Sequence, residues 1–552
     1  MSSQINPLSK VTAGNGYAGM PRKGCWEHAT AVLIILAACV LRMYCLPSQS
    51  VWSDEYVSVA YLDVATWSDF KASYRQHDPF MPPLYHVSLY WWARLVGTRA
   101  VALRCLSIGL GLASLCMMYI LGRSLLGGKG ALFALALFAF SPQQIYHAQG
   151  IRCYSFVVFF ALVSAYAFWR MLHYGGMRWW IINAAAGMLL VWTHLGGVLL
   201  VAVWGVGALL WLRRQWSAIV LWGGFQALSM LPLAAQVLTT MHYQSRPDVG
   251  NTALSNPVML LVGMIVPFFK DTSYVMNALP TAYLIDAGLI SVRESMLARV
   301  LVVASLLLAL FFLISLVSVL KQIVTERASW FLRTSEERKS IPGAALSEAE
   351  QQKGETSAMR FLLLWFLMPA LMLYVPVVLV NSAALVPRYT IFASPSLHLL
   401  VAGSVIAIRK PKRMVAWGAG IIILMMIFGL STTILPIRGN YLALGQLLET
   451  GYDGQSVAVL GDSPLLASQV AYNSTLPADR IVQVYSLKEI SLWLDKELMN
   501  AESVWFVLEE TEQLEDPIML PPVEHLFMGK GVEYSRHFFY GPQLLLAYHI
   551  RR

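Results

Sequence analysis

Stretches of about twenty apolar residues, each long enough to cross a bilayer as a helix, recur along this chain and leave few folds open to it. They run from Ala29 to Leu46, Val101 to Leu121, Cys153 to Leu172, Ala218 to Thr240, Leu297 to Leu320, Phe361 to Val380, Ile391 to Ile408 and Met414 to Leu435. With 57% hydrophobic and 13% charged residues over 552 positions, the chain has too little polar surface to enclose such segments in a water-soluble core. A polytopic α-helical membrane protein is expected. The formal net charge of +9 does not point to nucleic acid, because the basic residues sit mostly in short connections between the apolar stretches. There they set topology.

Lys10, Arg22 and Lys23 precede the first stretch and place the segment before Ala29 in the cytoplasm. With about eleven helices, Arg123 and Lys129, Arg170 and Arg178, Arg213 and Arg214, and Arg409, Lys410, Lys412 and Arg413 all fall on that same side. This requires a further helix from Ala131 to Tyr146, and a split of Ile181 to Leu212 into two short helices that turn near His194, Gly196 and Gly197. The first stretch is longer than a signal-peptide core and lacks a clear small-residue cleavage site, so it reads as a retained anchor. Residues 1–28 are then a cytoplasmic segment and 29–438 the membrane domain, with a first outer loop at 47–98 and a cytoplasmic linker at 321–360. Within that loop Leu84, Val87, Trp91 and Leu95 repeat at helical spacing, which suits a helix at Pro82 to Gly97 lying in the interface. A second outer segment, Met241 to Glu294, contains the apolar piece Val258 to Phe269 and reads equally as a substrate-facing loop or a re-entrant hairpin.

From 439 to 552 the composition becomes that of a small extracytoplasmic α/β domain. Strands are expected at Ser456 to Leu460, Arg480 to Tyr485, Ser503 to Leu508 and Gln543 to His549, with helices at Leu465 to Tyr472 and Leu487 to Met499. The six cysteines are scattered in or beside apolar stretches, without metal-type or disulfide-framework spacing.

The polar groups that stand out gather on the outer side. In Ser53-Asp54-Glu55 the plain structural account is an N-cap serine followed by acids at the positive end of a helix. Chemistry is the other account. Neighbouring helical residues point about 100° apart, so the two acids have different tasks, and Asp54 is taken as the reactive one. Next come His77, Asp78, Tyr85 and His86 around Pro82-Pro83, where the prolines restart a helix but do not explain the clustered His and Asp. An isolated His-Asp pair is weak support for a metal, and none is assigned, although a divalent ion is compatible. Between Ser141 and Tyr154 lie Tyr146, Gln149, Arg152 and Tyr154. Interfacial anchoring accounts for the tyrosines, whereas a guanidinium facing an outer cavity suits a phosphate. Arg388-Tyr389 follows another outward crossing and reads as a snorkelling anchor or a phosphate contact. His194 in Trp192-Thr193-His194 reads as a buried, satisfied polar residue or as one that lines the site.

In their order and sidedness these pieces resemble the multi-spanning, lipid-dependent glycosyltransferases of the GT-C class, and most nearly bacterial relatives of the protein O-mannosyltransferases and of the lipid A aminoarabinose transferases. The matching features are Asp54-Glu55 after the first span, Pro-Pro-Leu-Tyr opening an amphipathic helix, the Ser-Pro…Tyr…Ala-Gln…Arg…Tyr run, Thr-His before small residues, and the late Arg-Tyr, over roughly Ala29 to Ile408. Met81 departs from the His that many relatives carry before the paired prolines, and Gly150 from their Glu. The resemblance implies transfer of a sugar from a polyprenyl-phosphate donor to an extracytoplasmic acceptor with inversion, in the cell membrane. Asp54 would be general base, Glu55 its orienting partner, and Arg388 and Arg152 the partners of the departing phosphate. Tyr85 and His86 would line the cavity. A flippase of lipid-linked sugars and a non-catalytic assembly protein are the competing readings. The scarcity of ionisable groups at mid-membrane weighs against transport.

Overall fold

A computed structural model of the chain describes residues 25–243 except 63, 79 and 80, residue 317, residues 357–372 except 370, 391–407, 411–434, 441–451, 454, 456–460, 466–484, 486–499, 501–510, 522–539 and 544–551. Four helices among them are long and apolar enough to cross a membrane: Trp26–Ser48, Ala100–Ala139, Tyr154–Tyr174 and Arg213–Leu238. The chain is a polytopic helical membrane protein. The stretch expected at 297–320, apart from residue 317, and residues 373–380 of that expected at 361–380 lie outside the described residues, as do most of the second outer segment and of the linker at 321–360.

Helix α1 (Cys25–Met43) leads to α2 (Ser53–Ala60), α3 (Trp67–His77) and α4 (Pro83–Val96) in the first outer loop. Thr66 and Asp69 form a capping box that starts α3, and Pro83 at the first helical position starts α4. The face of α4 that carries Tyr85, His86, Leu89 and Tyr90 is buried, whereas Trp91 and Leu95 are 56% and 79% exposed. An outward apolar face is what a helix lying in the interface requires.

Helix α5 (Ala100–Ala139) has 40 residues, about twice what a bilayer core needs. Gly127 breaks it, with φ 73° and ψ −176°. A Cβ placed on Gly122 would lie 3.0 Å from Ala131 Cα, so the two limbs fold back against each other. The helix expected at 131–146 is therefore the second limb, and it stops at Ala139 rather than Tyr146. Residues Pro142–Ala148 form a separate short helix, α6, because a proline cannot sit inside a helix without losing a bond and meeting the carbonyl four residues back.

Helices α7 (Tyr154–Tyr174), α8 (Met177–Thr193), α9 (Gly197–Trp211) and α10 (Trp216–Tyr243) complete the first part of the bundle. The break between α8 and α9 falls at His194 to Gly196, as expected. Asn183 joins three of these helices: its Nδ2 donates to Ser164 O at 2.8 Å and Oγ at 3.1 Å, and its Oδ1 accepts from Trp222 Nε1 at 2.9 Å. Around this lies a stack of Phe168, Trp204 and Phe361, with centroids 4.8 and 5.5 Å apart, and Trp365 against it. Helices Ser357–Pro369, Ser394–Ile406 and Pro411–Ile434 add to the bundle.

The remainder is a five-stranded sheet in the order β2-β1-β3-β5-β4. Its strands are β1 (Val457–Leu460), β2 (Ile481–Val484), β3 (Ser503–Glu510), β4 (Glu533–Phe539) and β5 (Leu544–Arg551). β1 runs parallel to β2 and β3, while β5 runs antiparallel to β3 and β4. The period of two divides its core: Val457 and Val459 pack with Leu466 and Val470, and Ala458 packs with Ile490 and Leu494. The expected strands and helices are present to within a few residues. β4 and the helices Tyr441–Gly451 and Pro522–Lys530 are additions, and β4 was hidden because Glu533-Tyr-Ser-Arg-His mixes polar residues without a clean alternation.

Candidate active site

The start of α2 divides the acid pair. Trp52, in extended conformation, is the N-cap residue, so Ser53 is the first helical residue rather than the cap. From adjacent positions on the helix, Glu55 is fully buried and Asp54 is partly exposed.

Glu55 is locked. Its Oε1 accepts from Ile151 N at 2.7 Å, and its Oε2 accepts from Arg104 Nη2 at 2.9 Å. Arg104, itself 0% exposed, directs all its donors into this corner: Nε reaches Glu55 Oε1 at 3.4 Å, Nη1 donates to Leu46 O and Gln49 O at 3.2 and 2.8 Å, and Nη2 also donates to Ser50 O at 2.8 Å. One guanidinium thus ties the end of the first span, the approach to α2 and the buried acid to α5. A buried ion pair of this kind is tolerable only because its remaining hydrogen-bonding groups are satisfied.

Arg152 occupies the next position outward. Its Nη1 donates to Asp54 O at 3.0 Å and Ser58 Oγ at 3.1 Å, and lies 3.6 Å from Asp78 Oδ2. Burial works against its charge, but Asp54, Tyr154 and Asp78 outweigh this and raise its pKa further above the ordinary arginine value. Asp78 closes the C-terminus of α3, and its Oδ2 also lies 3.9 Å from His86 Nε2. Burial, with the Arg152 charge second, holds His86 well below the usual imidazole value, so the ring is neutral. With Nε2 facing a carboxylate, the proton belongs on Nε2, and Tyr61 then donates its hydroxyl to Nδ1. Burial and then the Asp78 charge push the Tyr61 phenol well up, which keeps it a donor. Tyr85 backs His86, with its ring also 5.5 Å from Phe156.

The structure therefore brings Asp54, Glu55, Asp78, Tyr85, His86 and Arg152 together. Tyr146, Tyr154 and His194 form a separate aromatic group through His147: the rings of His147 and Tyr154 are 4.4 Å apart, and those of Tyr154 and His194 6.0 Å. His194 Nδ1 accepts from Gly196 N at 3.0 Å, which shapes the α8–α9 turn. Gln149 is a strut, with Nε2 donating to Arg42 O at 3.1 Å and Tyr44 O at 3.4 Å. His77 is the last residue of α3, and Arg388 and Tyr389 lie outside the described residues. Among the described residues no three His, Cys, Asp or Glu side chains converge on a metal-sized site.

The sequence reading missed Arg104, Ser58 and Tyr61. For Arg104 a signal existed, because a lone cation inside the apolar stretch Val101 to Leu121 must face the bundle interior and find a partner there.

No family model matches the chain, and no curated protein matches it. Solved structures similar to it include ArnT from Cupriavidus metallidurans bound to undecaprenyl phosphate, at TM-score 0.47 and 11% identity over 95% of this chain and 97% of that one. The Archaeoglobus fulgidus oligosaccharyltransferase in complex with Zn and sulfate is similar at TM-score 0.42 and 14% identity, over 86% of this chain and 67% of that one. The S. cerevisiae protein O-mannosyltransferase Pmt1-Pmt2 complex bound to the sugar donor is similar at TM-score 0.30 and 19% identity, over 44% and 36%.

Proposed function

We propose that the chain is a membrane glycosyltransferase that moves a sugar from a polyprenyl-phosphate-linked donor to an acceptor hydroxyl, with Asp54 as general base. The observation that carries this reading is the division of labour in the acid pair. Glu55 is fully buried against Arg104, while its neighbour Asp54 remains partly exposed beside a second carboxylate, Asp78, and a shared guanidinium. The motif order that resembles the GT-C enzymes supports the same assignment.

In this reaction the acceptor oxygen attacks the anomeric carbon on the face opposite the lipid phosphate. The bond from that carbon to the phosphate oxygen breaks and its electron pair leaves with the phosphate, while the acceptor proton passes to the Asp54 carboxylate. Inversion follows from the single displacement. Arg152 holds the Asp54 backbone and lies beside Asp78, so the two acids are kept in one arrangement. Arg388 and Arg152 would neutralise the departing phosphate, as the resemblance to the GT-C enzymes implies. Neutral His86, backed by Tyr61, has its Nε2 3.9 Å from Asp78 Oδ2, beyond hydrogen-bond reach, and packs beside that carboxylate.

The test is transfer of radiolabelled sugar from defined polyprenyl-phosphate donors to membrane extracts, comparing the native protein with Asp54→Asn at equal expression. Transfer by the native protein and its loss, by at least about a hundredfold, in Asp54→Asn is expected. Equal transfer by both would remove Asp54 from the reaction, and no transfer by either across a broad donor panel would favour transport or assembly instead.

A further inference from the structure

The sheet unit grips the acid-bearing loop through one side chain. The helix Leu466–Tyr472 packs on α2, and Asn473 follows it directly. Asn473 is 9% exposed and turns its carboxamide onto Val51: Oδ1 accepts from Val51 N at 3.0 Å, and Nδ2 donates to Val51 O at 3.0 Å. This is the pair of bonds that a neighbouring strand would make. A third bond, from Nδ2 to Gln469 O at 2.8 Å, fixes which way the amide faces.

Neighbouring contacts repeat the pattern. Ser50 Oγ accepts from Leu442 N at 3.0 Å, near the start of the helix Tyr441–Gly451, while Ser50 O accepts from Arg104 Nη2 at 2.8 Å. The Tyr472 ring lies 6.1 Å from that of Tyr56 on α2, and its hydroxyl donates to Thr98 O at 3.3 Å at the far end of the loop. Residues 50 and 51 are thus held between a membrane helix on one side and the sheet unit on the other. Trp52 O then accepts from Tyr56 N at 2.8 Å, which carries that fixed backbone directly into the turn bearing Asp54.

We infer that Asn473 is a positioning residue for Asp54, and that the sheet unit is part of the catalytic assembly rather than an independent appendage. The inference rests on Asp54 being the base. A side chain that satisfies both backbone groups of Val51 leaves the start of α2 little freedom to rotate or slide. Without it, the buried Val51 amide and carbonyl must find water, and the first turn of α2 loosens.

The experiment uses the full chain in lipid nanodiscs with Asn473→Ala and Asn473→Asp. Asp has the shape of Asn and keeps an acceptor for Val51 N, but turns a carboxylate oxygen onto the carbonyls of Val51 and Gln469. Two quantities are read: hydrogen exchange by mass spectrometry, and kcat and KM for the donor. Exchange in peptides covering 50–56 is expected to rise about tenfold while β1 and β3 keep their protection, and kcat to fall about tenfold with donor KM within about twofold. Asp479→Asn, an exposed site on the same unit, leaves both readouts unchanged. If Asn473→Ala also unprotects β1 and β3, Asn473→Asp decides. Unchanged exchange at 50–56, raised exchange with unchanged kcat, or loss of sheet protection in both variants overturns the inference. A native protein without turnover refutes the glycosyl-transfer reading, and the exchange results still judge the clamp.

Discussion

Replacing Arg104 with Met keeps the volume of the side chain but removes the guanidinium that holds Glu55 and the carbonyls of Leu46, Gln49 and Ser50. Breaking one side of a buried pair costs about 3–5 kcal/mol, because the surviving charge is left in a medium of low polarity. The three carbonyls add to this, but the segment that carries them can shift toward water and recover part of the loss. We take about 4 kcal/mol as the net cost. Transition midpoints move by roughly 2–4 °C per kcal/mol in domains of 150–250 residues and by about 1 °C per kcal/mol at the length of this chain, so a fall of about 4 °C is expected. The assay is a thermal scan in detergent at a fixed rate on the native chain, Arg104→Met, Glu55→Gln and the double variant. Glu55→Gln keeps an acceptor for Ile151 N but loses the charge and the acceptor for Arg104 Nη2, and the double variant should be less damaged than the sum of the singles by about 2 kcal/mol. A drop of under about 2 °C in Arg104→Met, or strictly additive losses, refutes the reasoning.

His86 is neutral in the fold, whereas in the unfolded chain it titrates near the ordinary value of about 6.5. Below that pH the unfolded state takes up a proton that the fold refuses, so stability is full above about pH 6.5 and declines as pH falls below it. Melting at pH 7.5 and 5.5 should therefore show a steeper loss for the native chain than for His86→Gln, and equal slopes would rule this out. Asn183→Leu, which unties α8 from α7 and α10, should cost about 1 kcal/mol in the same scan, and a melting point at or above that of the native chain would mean the amide contributes nothing. At Gly127 a Cβ would meet nothing within 4 Å, so Gly127→Ala and Gly127→Val should both lose about 1–3 kcal/mol from backbone conformation. A loss that grows with side-chain size would show crowding there instead.

What the sequence revealed tracks how local the deciding physics is. The turn at His194 to Gly196 was readable because two glycines interrupt an apolar run, and the outward face of α4 because Trp91 and Leu95 share a helical stripe. The different fates of Asp54 and Glu55 followed from the angle between adjacent helical positions. Pro142 was visible too, yet the expected helix ran through it to Tyr146 and missed the break that divides the second limb of α5 from α6. Contacts between distant segments were not readable. Nothing in the neighbourhood of Glu55 names Arg104, 49 residues away, and nothing near Val51 names Asn473. Trp52 rather than Ser53 caps α2 because the loop, held by Arg104, delivers the chain to the helix one residue earlier than the local pattern suggests.

The bonds between Asn473 and Val51 span 422 positions. A contact of that order forms late in biosynthesis, since residue 51 leaves the ribosome and settles at the membrane long before residue 473 has been made. The acid loop therefore spends most of its synthesis without one of its supports. A nascent or prematurely terminated chain can insert its first helices and bury Glu55 against Arg104, but it lacks the final element that sets the approach to α2. A chain that stops short of residue 473 therefore lacks the contact that holds Val51, and its acid loop is less ordered than that of a copy that carries Asn473.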